Sequence, residues 1–137
     1  MSTMKITMKL CLILSGGLLS AGSVLNAQEI AISNTTIETC EGFLVDTGFS
    51  AAEYGANEDI IMTLCPEAPE TIVTLNFVLA SFGSGDMLRI YDGVDTDGPL
   101  LGTYVEFDAQ GLEIFASENN PGGCLTLHWT SDDQNNG

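Results

Sequence analysis

Apolar and polar residues alternate in short runs along most of the chain. In "TIVTLNF" Val73, Leu75 and Phe77 fall on one face. In "DMLRIYDG" Leu88 and Ile90 share a face, with Met87, Arg89 and Tyr91 on the other. "LEIF" and "CLTLHW" repeat the pattern, the latter setting Leu125, Leu127 and Trp129 against Thr126, His128 and Thr130. A period of two is that of a half-buried β-strand. Between the runs stand "FGSGD", "DGVDTDGP", "DAQG" and "ENNPGG", all rich in turn-forming residues. No window carries apolar residues at helical spacing over three turns. The pattern predicts an all-β fold, an antiparallel β-sandwich or barrel.

The N-terminus breaks this texture. Lys5 and Lys9 precede the apolar run "LCLILSGGLLSAGSVL", and "LNA" ends in a small residue before Gln28. This order reads as a secretory signal peptide, residues 1–27, cut after Ala27. The run holds a Gly-Gly pair and falls short of the ~20 predominantly apolar residues of a membrane helix, so no membrane span is expected. Cys11 lies inside the run without a plausible mature start after it, which argues against a lipoprotein anchor. Residues 28–39, with Ile30 and Ile32 at alternate positions, read as a linker or a first strand, and residues 40–137 as the domain. Asn34-Thr35-Thr36 has the form of a glycosylation sequon.

The leader matters for the charge. The 137 residues carry −16 at neutral pH, and without residues 1–27 nineteen acids face Arg89 alone, a net charge of −18. Such a surface repels nucleic acid and anionic lipid, which removes both as partners and suits a secreted or cell-surface protein. Arg89 is expected to pair with a neighbouring carboxylate, a contact worth little if exposed. Cys40, Cys65 and Cys124 remain after the leader, an odd number that implies one disulfide and one orphan. Three cysteines and one distant histidine do not compose a zinc site.

Catalytic constellations are absent from the sequence. No Ser or Cys stands in a recognisable nucleophile turn, so His128 reads as an ordinary sheet residue. With nineteen acids some carboxylate pair always looks suggestive, and a glycosidase reading has no specificity. Asp92, Asp95 and Asp97 in "DGVDTDG" lack the spacing of a calcium loop and read as a solvated turn, with Asp92-Gly93 closing the strand.

Taken in order, "DTG" at 46–48, "YGANED" at 54–59, "LCP" at 64–66, "DMLRIYDG" at 86–93, "PLLGTY" at 99–104 and "GCLTLHWTSDD" at 123–133 resemble a CUB domain of the secreted bacterial type. The resemblance implies a jelly-roll-like sandwich of two antiparallel sheets. It also implies a non-catalytic extracellular module that binds protein or carbohydrate, or an accessory domain fragment of a secreted hydrolase such as a protease. Such domains continue with a last strand, so the resemblance further implies a downstream segment of a longer chain after Gly137. On that reading Cys124 is the orphan and Cys40 pairs with Cys65, closing a loop worth roughly 3 kcal/mol.

Calcium-binding CUB domains use a Glu and two Asp. Asp86 and Asp132 match the two Asp positions, but no acid lies between Glu70 and Asp86. Calcium prefers 6–8 oxygen ligands, so the resemblance implies a weak site at most, with Asp133 peripheral. The alternative is that Asp86 caps a turn after Gly85 while Asp132 orders the following loop. Tyr91 and Tyr104 are candidates for a contact surface, or else covers for the sandwich edge. Trp129 continues the Leu125–Leu127 face and is expected in the core.

Overall fold

The alternating runs become strands of two facing sheets. The computed structural model describes residues 3–9 and 28–134. Its strands are β1 (Thr3–Lys9), β2 (Glu29–Ala31), β3 (Thr35–Thr39), β4 (Glu41–Val45), β5 (Asp59–Pro66), β6 (Thr74–Ser81), β7 (Met87–Asp92), β8 (Leu100–Tyr104), β9 (Glu113–Phe115) and β10 (Leu125–Thr130). One sheet runs β2-β4-β1-β6-β9 and the other β3-β5-β10-β7-β8. The fold is an all-β sandwich, as the sequence pattern predicts. Most pairings are antiparallel, but β2 runs parallel to β4 and β3 parallel to β5, so both sheets are mixed.

The faces follow the alternation. Val73, Leu75, Phe77, Leu88, Ile90, Leu125, Leu127 and Trp129 are all buried between the sheets, whereas Met87, Arg89 and Tyr91 stay partly exposed. Trp129, the only tryptophan, meets Tyr54 at 4.8 Å and Phe82 at 5.0 Å, both edge-on. Edge-to-face pairs at this spacing stabilise beyond the area they bury. Among the outward positions Thr126, like its register partner Thr63, is an exception. It is fully buried, because the loop after β7 folds over it and takes its hydroxyl on the Gly93 carbonyl at 2.9 Å.

Residues 28–39 are two strands in different sheets. Ile32 is buried between them, its amide donating to the Val45 carbonyl at 2.8 Å. Thr3–Lys9 is more consequential. This segment is the middle strand of its sheet, paired with β4 on one side and β6 on the other, with Met4 and Ile6 fully buried. The apolar run and the Ala27 cleavage position lie outside the described residues. Among the described residues no helix is long and apolar enough to cross a membrane.

The disulfide departs from the expected pairing. Cys65 is joined to Cys124, 59 residues away, and not to Cys40. The cause is register. β5 and β10 are antiparallel with Leu64 opposite Leu125, so the next pair outward is Cys65 and Cys124. Cys40 follows β3, whose Thr39 already stands opposite Pro66, past Cys65 along β5. No described cysteine is a free thiol, so Cys124 is not an orphan. Its neighbour Gly123 has φ +65°, and a Cβ there would come within 2.3 Å of the Thr71 carbonyl oxygen. Only glycine lets the chain enter β10 so close to that backbone.

Candidate functional site

At one end of the sandwich the β4–β5 loop, the β6–β7 turn and the segment after β10 converge. Asp86 closes the β6–β7 turn, its amide donating to the Gly83 carbonyl at 3.2 Å. Gly85 before it has φ +100°, and a Cβ at that position would lie 2.3 Å from the Asp132 Oδ2. Backbone conformation and close approach both require glycine here. Asp86 itself is fully buried.

Both oxygens of the Asp86 carboxylate accept hydrogen bonds. Oδ1 takes the Asp132 amide at 2.8 Å, and Oδ2 takes the Tyr54 hydroxyl. The Tyr54 oxygen in turn accepts the Gly83 amide at 2.6 Å. Asp132 passes the connection on: its carbonyl accepts the Asn57 amide and its Oδ1 the Gln134 amide, each at 2.8 Å. Asn57 has φ +56°, a left-handed conformation that Asn tolerates better than most residues. Three loops distant in sequence are thus tied through one buried carboxylate.

A second carboxylate braces the same end. Glu58 accepts the Trp129 indole N–H on Oε2 at 2.9 Å, and on Oε1 the Thr47 hydroxyl and the Gly55 amide. Its backbone exchanges bonds with Ser131: the Glu58 amide donates to Oγ at 2.9 Å, and the Ser131 amide donates to the Glu58 carbonyl at 3.0 Å. Asp46, also fully buried, accepts the amides of Met4 and Gly48 at 2.8 and 2.9 Å. Bonds to an ionised carboxylate are stronger than neutral ones, and buried donors and acceptors here satisfy one another.

The structure brings Asp86 and Asp132 together through a backbone amide donating to a carboxylate. Among the described residues no group of three or more His, Cys, Asp or Glu is arranged to hold a metal ion. Asp133 is exposed beside them. Asp86 organises the turn through both carboxylate oxygens, and Asp132 the following loop through its Oδ1.

The remaining candidates lie elsewhere. His128 is on the outer face of its sheet, with Nε2 2.7 Å from the exposed Asp59 carboxylate. Arg89 stands between His128 and Thr103 in register and, among the described residues, makes no ion pair, contrary to expectation. Tyr91 and Tyr104 do not share a surface. Tyr91 is on the outer face opposite Thr126, whereas the Tyr104 ring packs on the core 6.2 Å from Phe77. Burial raises the Tyr104 phenol above its usual pKa. Asp92 closes its strand as expected. Burial works to raise its pKa, but hydrogen bonding by the Ser117 side chain, by the Asn120 side chain at 2.8 Å and by the Ser117 amide at 3.1 Å outweighs this and holds it low. Asp95 accepts the Asp97 amide at 2.9 Å within the solvated turn.

Tyr54, Glu58 and Asp46 escaped the sequence reading as functional positions, although all three stand in its short motifs. The one local signal was Tyr54, a lone aromatic between Phe49 and Phe77 in a small, polar loop. No protein-family model matches the chain, and no curated protein is significantly similar to it.

Proposed function

We propose that this chain is a non-catalytic extracellular binding module that meets a protein or glycan through the loops at the Asp86–Asp132 end. The observation that carries this reading is the Tyr54–Asp86–Asp132 chain of hydrogen bonds. It fixes three loops before any ligand arrives, and a surface ordered in advance loses less entropy on binding. Exposed on that frame are Glu53, Asn57, Ser84 and Asp133. These are polar groups able to bond sugar hydroxyls or a basic protein surface. Rigid scaffolds commonly carry recognition on such loops.

The acid side chains support the same reading. The buried carboxylates of this end are engaged by backbone and side-chain donors, and His128 is engaged by Asp59 on the outer face of a strand. A disulfide and a leader-like N-terminus agree with export. Calcium is not needed to hold the loops, since the amides and hydroxyls already do so.

The test is a screen of the immobilised full chain against glycans and extracellular proteins. It is repeated with Asn57→Arg and Asp133→Arg, and with Asp97→Arg in the distant β7–β8 turn as control. Loss of capture with the first two and retention with the third is expected. Loss with Asp97→Arg alone would place recognition elsewhere.

A further inference from the structure

β1 has two identities. It is the middle strand of its sheet, yet it belongs to the segment whose sequence carries the marks of a leader. Without residues 1–27, β4 and β6 face each other across a lane one strand wide, about 10 Å between their axes at the usual strand spacing. Each edge then presents unpaired N–H and C=O groups, and the core between the sheets loses Met4 and Ile6. The Asp46 carboxylate loses the Met4 amide. β2 and β9 cannot close the lane, because each is three residues long and already paired on the far side of β4 or β6. A sheet edge of this kind is a template for another strand.

We propose that this lane is a strand-acceptor site, occupied here by Thr3–Lys9, which binds an extended partner polypeptide that is apolar at alternate positions and basic between them. The secretory reading of residues 1–27 explains why the lane empties. That the lane accepts a separate strand stands on its geometry alone. The lining specifies the occupant. Inward positions take side chains the size of Met4 and Ile6. Outward, the Lys5 ammonium sits 4.9 Å above the Phe43 ring, a cation–π contact; along the backbone, Lys9 is the register partner of Glu41. The rest of the chain sets nineteen acids against one arginine, so a basic strand is drawn in by charge as well. Beside the first residues of β1 a cavity of about 280 Å³, lined by Lys5, Val45, Phe49 and Leu79 among others, leaves room for a larger outward side chain. A second copy is a poor donor, because every described strand of residues 28–134 is already paired and would lose one sheet to join another.

The experiment uses the full chain with a protease site inserted at the 27–28 junction, cut after folding. A labelled peptide of residues 2–9, STMKITMK, is then added. With Cys11 and Cys40 replaced by serine, so that no disulfide can tether the pieces, the cut N-terminal fragment is expected to stay bound through gel filtration and to exchange saturably for the peptide. The same peptide with Ile6→Asp should bind about 100-fold more weakly or worse, the scale set by losing one buried aliphatic side chain. Phe43→Cys in the chain should form a disulfide with the Thr7→Cys peptide, its register partner, and not with an Ile6→Cys peptide. The proposal is overturned if the fragment leaves on cutting while Trp129 fluorescence and the unfolding midpoint are unchanged. Indifference to Ile6→Asp, or dimerisation of the cut chain, would overturn it equally. Sequencing the N-terminus of the exported chain reports separately on whether residues 1–27 are removed.

Discussion

Tyr54 donates its hydroxyl proton to Asp86 and, through the same oxygen, accepts the amide of Gly83. One buried hydroxyl thereby satisfies a carboxylate and an amide from the β6–β7 turn. Tyr54→Phe keeps the ring against Trp129 but leaves both partners unsatisfied. The expected cost is about 1–3 kcal/mol, read as a lower urea midpoint at unchanged slope. A variant as stable as the parent would contradict the pairing.

The Cys65–Cys124 bridge closes a loop of 59 residues. On the chain-entropy account such a loop contributes about 4 kcal/mol, so replacing both cysteines with serine should lower stability by that order. Peptide mapping under non-reducing conditions should recover Cys65 joined to Cys124. Recovery of Cys65 joined to Cys40 would contradict the β5–β10 register.

Asp92 supplies a pH dependence. Its pKa in the folded chain lies below the ordinary aspartate value, because the bonds from Ser117 and Asn120 outweigh the effect of burial. A carboxyl whose folded pKa is depressed contributes stability that is fully present above its unfolded pKa and is lost as pH falls through the folded one. The stability difference between the parent and Asp92→Asn should therefore be constant above about pH 5 and shrink as pH drops below the ordinary carboxyl range. A difference that grows on acidification would contradict the assignment.

What the sequence made legible is what depends on near neighbours. The faces of "MLRIY" and "CLTLHW" could be read because a strand's period of two is local, and Gly85 and Gly93 marked turns through their own backbone freedom. The disulfide could not be read, because it depends on the register of strands 59 residues apart. The burial of Thr126 was hidden for a similar reason: a loop from the neighbouring strand covers it. The brace at the loop end joins Tyr54 to Asp86 across 32 residues and Glu58 to Trp129 across 71. Asp86 and Asp132 are neighbours through a backbone amide on a carboxylate, a contact the sequence does not show. "TMKITMK" does alternate like a strand, and its lysines and the apolar run behind it masked that signal.

β1 yields a prediction for the intact chain. Met4 and Ile6 are both fully buried in the centre of a sheet. Ile6→Ala should cost about 2–5 kcal/mol, as for other buried aliphatic truncations, whereas Thr7→Ala, partly exposed on the outer face, should stay within about 0.5 kcal/mol. Equal, small effects at both positions would show that Thr3–Lys9 is not part of the core.

The central claim is that the Asp86–Asp132 end is a binding surface braced by protein hydrogen bonds and not by a metal. Terbium titration of the full chain tests this most directly. It can stand in for calcium, and an ion bound there would lie close to Tyr54 and Trp129, whose rings are 4.8 Å apart and would sensitise its emission. The account predicts no saturable sensitised emission at micromolar terbium, and the same unfolding midpoint in calcium and in chelator. Saturable emission that calcium displaces, and that both Asp86→Ala and Asp132→Asn abolish, would contradict it.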